Sequence, residues 1–170
     1  STELVYNAKL IMTLDGGVEH FTQYAEDEMK LIGQLQQQDG GFYRINQTST
    51  RDVDGNKLTA NYNEGIAYNY KSISGYTSDP DRNQLLFMKQ MGYAICGDVM
   101  NVVNTSVLGA DSILGVKYVL SSYDIPGLKK LENIEPGNGK SVYYNPYALP
   151  VAFTYESSNM LPDSEEKDEF

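Results

Sequence analysis

The chain has 170 residues, 41% apolar and 21% charged, with six prolines, a composition that fits one folded domain and excludes both wholesale disorder and a multidomain chain. Thirteen Lys and Arg against twenty-three Asp and Glu give a net charge of −10, the wrong sign for gripping a phosphate backbone, so nucleic acid is excluded as a partner. A single cysteine, Cys96, and a single histidine, His20, cannot build an intrachain disulfide, a multi-histidine metal site or a His-paired relay, and no cofactor or metal is expected.

Leu4–Leu14 is apolar without a clear period, and a short helix and a strand are equally compatible with it. In Phe21–Gln38 the residues Phe21, Tyr24, Ala25, Met29, Ile32 and Leu35 recur at three- and four-residue spacing, opposite Glu26, Asp27 and Lys30, which predicts an amphipathic helix. Asp39-Gly40-Gly41 stops it, and the alternating aromatic and β-branched residues of Phe42–Asn46 predict a strand buried on one side. Thr48–Asn63, centred on Asp52-Val53-Asp54-Gly55-Asn56, reads as a loop or hairpin tip. Tyr62–Tyr76 mixes aromatics, Asn and Gly with no clean period, the pattern of ordered, irregular backbone that often lines sites.

Ser78-Asp79-Pro80 predicts a cap followed by proline at the first helical position, opening a second helix that closes at Gly92. Ser106–Leu114 predicts a short helix and Gly115–Leu120 a strand. Pro126-Gly127 and Pro136-Gly137-Asn138-Gly139 punctuate a loop, after which Ser141–Asn145 and Val151–Glu156 read as two strands, a closing β pair. Helices alternating with strands give an α/β fold, a mixed sheet flanked by helices; the late β pair keeps α+β as the alternative.

No window approaches the roughly 20 apolar residues that cross a bilayer. The longest greasy stretch, Leu108–Leu120, is broken by Asp111, Ser112 and Lys117. The N-terminus has neither an initiator Met nor a signal-peptide pattern, and the expectation is a piece of a longer protein: one globular domain over residues 1–161 and an acidic tail or linker over 162–170, where five acids meet one base.

Fourteen tyrosines are the most unusual feature, with Tyr62, Tyr68, Tyr70 and Tyr76 in one stretch and Tyr143, Tyr144, Tyr147 and Tyr155 in another. A phenol ring can stack on the apolar face of a pyranose while its hydroxyl, or a nearby Asn63, Asn69 or Asn145, bonds the sugar hydroxyls. The plainer alternative, expected for most of them, is that the rings pack the core and bond their hydroxyls to the backbone. The absence of Trp weighs against a dedicated carbohydrate-binding module.

Arg44, on a predicted strand, has the planar fork that clamps two oxygens of a phosphate or carboxylate; the favoured alternative is an ion pair inside the fold with Glu64 or Asp98. Arg44, Asn69, Tyr70, Tyr76, Tyr144, Asn145 and Tyr147 are the candidate ligand-binding residues. Asp52, Asp54, Asn56 and Glu64 cluster hard oxygen ligands, but Gly55 is the fourth residue from Asp52 and an EF-hand needs glycine sixth, so a solvated turn is preferred to calcium. Glu19, Glu26, Asp98 and Asp111 supply carboxylates, and no spacing pairs two of them for glycoside hydrolysis. His20 and Cys96 are read as structural. The two Asn-x-Ser/Thr matches, Asn46-Gln47-Thr48 and Asn104-Thr105-Ser106, are assigned no modification.

Four motifs in order, Phe42-Tyr43-Arg44-Ile45, Ser72-Ile73-Ser74-Gly75-Tyr76-Thr77-Ser78, Leu114-Gly115-Val116-Lys117-Tyr118-Val119 and Tyr144-Asn145-Pro146-Tyr147-Ala148-Leu149-Pro150-Val151-Ala152-Phe153, together resemble the YfhO family over about residues 3–156. The resemblance implies a bacterial multi-pass membrane protein similar to GT-C-type glycosyltransferases, of which this chain would be the domain outside the cytoplasmic membrane. It further implies sugar transfer from a lipid-linked donor to envelope polymers such as lipoteichoic acid. The catalytic acid would lie in a membrane-proximal loop that matches nothing here, so no catalytic residue is carried over. The implied partners are the membrane-embedded part of the same polypeptide and an anionic cell-wall glycopolymer. The charge of −10 opposes such a polymer unless Arg44, Lys71 and Arg82 make a local positive patch. A bracing module without ligand and a free-standing hydrolase are the alternatives.

Overall fold

Helix α1, Val18–Gln38, buries Glu28, Leu31, Ile32 and Leu35, a stripe at spacings of three and one that repeats every turn. Each of the three aliphatic side chains contributes about 1.5–3 kcal/mol by leaving water. The stripe departs from the sequence expectation at one position: Met29 is half exposed, and the buried place beside it belongs to the charged Glu28. The computed structural model describes residues 18–49, 63–75, 79–93 and 105–154, with backbone alone for 18–21. The readings of Leu4–Leu14, of the Asp52–Asn56 tip, of Cys96 and Asp98, and of the acidic tail lie outside the described residues.

After α1 come β1 (Arg44–Gln47), α2 (Glu64–Ala67), α3 (Arg82–Gln90), α4 (Leu108–Ile113), β2 (Val116–Ser121), β3 (Lys129–Lys130) and β4 (Ser141–Tyr144). The strands form one sheet in the order β1-β2-β4-β3. β1 runs parallel to β2, while β2–β4 and β3–β4 are antiparallel. The sheet is therefore mixed and flanked by helices, as the alternation of elements predicts.

Side-chain alternation along β1 sorts the two faces. Tyr43 and Ile45 join Leu31, Ile32, Leu35, Tyr118, Leu120 and Val142 in the core under α1. Ile73, Met88, Tyr93, Ala110, Val116, Val119 and Tyr143 form the core under α3 and α4. Val116 shares a face with Val119 because Arg44 pairs with Val116 while Ile45 pairs with Tyr118, which makes Lys117 the extra residue of a β-bulge. Gly115, at φ +70°, allows the turn into β2, and a Cβ there would stand 3.1 Å from the Leu149 carbonyl oxygen.

Three expectations need correction. The cap of α3 is Asp81, whose carboxylate accepts the Gln84 N–H at 2.9 Å; Pro80 precedes the cap rather than occupying the first helical position. Residues 151–154 carry no strand: the Leu149 N–H donates to the Ser112 carbonyl at the end of α4, so the backbone after Pro146 is tied to a helix rather than to the sheet. The partner of β4 on its outer side is instead β3, two exposed lysines too short and too polar to read as a strand. The closing β pair thus comes from an earlier segment. Replacing Asp81 with alanine removes the capping acceptor and is expected to cost about 1 kcal/mol, seen as a fall in Tm of about 2–4 °C by calorimetry.

Candidate functional site

The edge of the sheet at β1 is covered by residues 70–72: the Ile45 N–H donates to the Lys71 carbonyl at 2.8 Å, and Ile45 bridges Ser72. Two clefts flank this edge. The first, about 280 Å³, lies between the end of α1 and the turn after α2, lined among others by Gln36, Asp39, Gly41, Tyr43, Asn69 and Lys71. The second, about 240 Å³, is lined by Arg44, Ser72–Gly75, Gln84, Met88 and Leu114.

The first cleft is fixed by the close of α1. Asp39 ends the helix through its N–H to the Leu35 carbonyl. Its carboxylate accepts from Lys117 Nζ at 2.5 Å, the Tyr118 hydroxyl at 2.7 Å and the Gly41 N–H at 2.9 Å. Desolvation pushes the Asp39 carboxyl up, but these donors together outweigh it and hold the group below its ordinary value. The Tyr43 hydroxyl donates to the Asp39 carbonyl, and its ring meets Tyr118 edge-on at 4.9 Å. Asn69 adopts φ +56° and its carbonyl accepts from Gln36 Nε2 at 2.8 Å. Lys71 Nζ lies 4.6 Å from the centre of the exposed Phe42 ring.

Behind this cleft lies a buried ionic network. Lys140 Nζ, 1% exposed, donates to Glu28 Oε2 at 2.7 Å and to Gln47 Oε1 at 2.6 Å. Gln47 Nε2 shares its hydrogens among Glu28 Oε1 at 2.9 Å, Glu64 Oε2 at 3.1 Å and the Tyr70 hydroxyl at 2.7 Å. The Tyr24 hydroxyl donates to Glu64 at 3.1 Å, and Asn138 Nδ2 to Glu28 at 2.9 Å. Burial raises the Glu64 carboxyl above its ordinary value; Lys140 opposes this and Glu28 adds to it. Burial, then Glu28 and Glu64, drive the Tyr24 phenol far above its ordinary value. A separate buried carboxylate, Asp111, accepts from Tyr93, from Ser106 and, at 3.4 Å, from Asn46 Nδ2.

The candidate residues divide accordingly. Asn69 and Tyr70 come together in the first cleft, although the Tyr70 hydroxyl is turned inward to Gln47. Arg44 belongs to the second cleft and donates from Nη1 to the Leu114 carbonyl at 2.6 Å. The ion pair with Glu64 is not formed, because Arg44 and Gln47 leave β1 on opposite faces and Glu64 is bonded to Gln47. Tyr144 is half-buried on β4, 5.9 Å from Tyr118, so an aromatic row Tyr43, Tyr118, Tyr144 crosses the sheet from the first cleft. Asn145 is 1% exposed and donates to Ser112 Oγ and the Val116 carbonyl, while Tyr147, 61% exposed, stands apart from both clefts. Tyr76 lies outside the described residues. Lys71 and Arg44 flank one sheet edge and Arg82 opens α3, whose Gln84 lines the second cleft.

Among the described residues no three His, Cys, Asp or Glu side chains converge as a metal site. Asp52, Asp54 and Asn56 are not described, and the Glu64 carboxylate is committed to Tyr24 and Gln47. Glu28, Gln47, Lys140, Asp39 and Lys117 are not among the candidate site residues read from the sequence; the one available signal is Glu28, in register with Leu31, Ile32 and Leu35 on the greasy face of α1.

A family model described as "Bacterial membrane protein YfhO" matches residues 15–165. The chain belongs to the YfhO family. No curated protein and no solved structure matches it. Among the described residues of this YfhO chain no helix is long and apolar enough to cross a membrane. The four sequence motifs meet in the fold: Arg44 on β1, Ser72 beside it and Leu114 before β2 border one cleft, and the Asn145 N–H donates to the Lys117 carbonyl at 2.8 Å.

Proposed function

We propose that this chain is a water-exposed, non-catalytic part of a YfhO membrane protein, lying outside the cytoplasmic membrane. There it supports glycosylation of an envelope polymer such as lipoteichoic acid by holding the acceptor glycopolymer. The observation that carries the proposal is the first cleft, where a tyrosine ring, the Gln36 and Asn69 amides and the Lys71 cation surround about 280 Å³ beside an otherwise acidic surface. Rings suit sugar faces, amides suit hydroxyls, and an ammonium suits a polymer phosphate. A non-catalytic role is favoured because Asp39, the carboxylate of the cleft, is committed to Lys117 and Tyr118. The hydrolase alternative is not favoured: of the carboxylates considered for it, Asp111 is buried and bonded to Tyr93 and Ser106, and Glu26 is exposed and lines neither cleft.

Calorimetry of the 170-residue chain with purified lipoteichoic acid tests the proposal. Lys71→Glu combined with Gln36→Ala is expected to weaken binding by about tenfold or more, and the same change in the intact membrane protein to lower polymer glycosylation with normal assembly. Equal affinity of the variant, or no heat from the unaltered chain, refutes acceptor binding. The second reading, a module that braces the membrane part, is favoured by the exposed apolar residues Ile113, Tyr147, Leu149 and Phe153; it predicts that Tyr147→Ala impairs assembly and leaves polymer binding intact.

A further inference from the structure

The second cleft has a feature that acceptor holding in the first does not require. In a chain with twenty-three acids and thirteen bases, surplus carboxylates are expected to find every partly buried arginine. The ion pairs among the described residues are Lys30–Glu135, Lys117–Asp39 and Lys140–Glu28, and none involves Arg44. Among the described residues its guanidinium makes one hydrogen bond, from Nη1 to the Leu114 carbonyl. A guanidinium carries five N–H donors, so most of the fork of this half-buried arginine remains available along the wall of a cleft of about 240 Å³.

The rest of that wall is made of donors over an apolar floor. Ser72 Oγ accepts the Ser74 N–H at 2.9 Å and keeps its own proton to donate. Gln84 brings a side-chain amide from the exposed side of α3. Ile73 and Met88, both buried, line the bottom and strengthen any charge interaction above them by keeping water away. Asp81, the residue that caps α3, turns its carboxylate to the Gln84 N–H.

We infer that the Arg44 cleft is an oxyanion site that takes a phosphate group, held by the Arg44 fork and by the Ser72 and Gln84 donors. Phosphate is preferred to carboxylate by oxygen count. A carboxylate has two oxygens, both consumed by the fork, whereas a phosphate offers further oxygens to the serine and the amide on the facing walls. The inference stands on this cleft alone and survives if the first cleft holds no polymer.

The test is an NMR titration of the 15N-labelled 170-residue chain with inorganic phosphate, with chloride as the counterweight at constant ionic strength and acetate as a second arm. The expected result is saturable shifts of the Arg44 Nε–H and of the Ser72–Gly75 amides with phosphate, weaker ones with acetate and none with chloride. Gln84→Glu, an exposed helix position that leaves the Leu114 bond intact, sets a carboxylate against the guanidinium and is expected to weaken phosphate binding by about tenfold or more. Arg44→Gln, with its fold checked in the same spectra, is expected to abolish binding. Phosphate shifts that fail to saturate, that chloride reproduces or that persist unchanged in Gln84→Glu overturn the site, and acetate binding as tightly as phosphate overturns the ligand assignment. Loss of lipoteichoic acid binding in calorimetry with these phosphate shifts intact would remove the first cleft's function and leave this one.

Discussion

Replacing Lys140 with methionine is expected to lower the free energy of unfolding by about 3–5 kcal/mol in urea denaturation at neutral pH. Lys140 is 1% exposed, and its ammonium meets Glu28, itself 0% exposed, at 2.7 Å. Methionine fills much of the same volume but leaves Glu28 buried without its cation and removes the donor to Gln47 Oε1. It also strips Glu64 of the one positive charge that draws its carboxyl down. Because the cost is that of a stranded charge, Lys140→Met combined with Glu28→Gln is expected to recover a large part of it, a double-mutant cycle with a coupling of about 1–3 kcal/mol. The pH dependence has a definite sign. The folded-state value of Glu64 is raised by burial, so the stability linked to that group is fully present below its unfolded value of 4.5 and is lost as pH climbs through the folded value. Without Lys140 the folded value rises further, so the decline is expected to begin at the same unfolded value, extend to higher pH and run deeper. A loss below about 1 kcal/mol, the range of an exposed ion pair, would mean that the pair is solvated rather than buried.

The network also explains which parts of the molecule were legible in advance. Helix α1 was readable because three- and four-residue spacing of apolar side chains is a local property, yet the same rule chose Met29 for the buried stripe where the fold chose Glu28. No local signal distinguishes a buried glutamate whose cation is 112 residues away. The strands over Ile45 and Val119 declared themselves through β-branched and aromatic residues. β3 could not, since two exposed lysines acquire strand geometry only by pairing with Tyr143 and Tyr144. Val151 shows the converse: a β-forming residue that lies outside any strand, beside Gly115, in the segment tied to α4 through the Leu149 N–H.

The tyrosines are visible in the sequence as an excess, and Tyr43, Tyr70, Tyr93, Tyr118 and Tyr143 pack the core as expected, but their hydroxyls meet carboxylates more often than backbone. Of the hydroxyls in described positions, those of Tyr24, Tyr93, Tyr118 and Tyr143 donate to Glu64, Asp111, Asp39 and Asp124, and that of Tyr43 to backbone. A chain with ten more acids than bases meets its inward carboxylates with neutral phenol donors where lysine and arginine run short. The effect is reciprocal: burial and then the Asp124 bond and charge push the Tyr143 phenol up to about 12. For the candidate site the consequence is selective. The Tyr43 and Tyr70 hydroxyls and the Asn145 amide are occupied inside the fold, whereas Lys71 and Arg44 line clefts.

Asp111 gives the second large effect. Its carboxylate, 1% exposed, accepts from the Tyr93 and Ser106 hydroxyls and from Asn46, tying β1, the end of the 79–93 segment and α4 together. Asp111→Ala strands these buried donors and is expected to cost about 3 kcal/mol. Asp111→Asn keeps one acceptor oxygen and lets a hydroxyl turn to accept from the new amide, with an expected cost of about 1 kcal/mol at neutral pH. Titration separates the two roles. Burial raises the Asp111 carboxyl, and the bonds from Ser106, Tyr93 and Asn46 only partly offset it. Its contribution is therefore complete below 3.8, the ordinary value, and lost as pH rises through the folded value. Asp39 works in the opposite direction: its lowered carboxyl stabilises the fold above the ordinary value and ceases to do so as pH falls through the folded one. Asp111→Asn is accordingly expected to flatten the decline in stability on the rising side while leaving the acid limb in place, measured as urea midpoints from pH 3 to 7. An unaltered rising side would transfer that decline to Glu64 alone, and a lost acid limb would show that the Asp39 bonds to Lys117 and Tyr118 depend on the Asp111 cluster across the sheet.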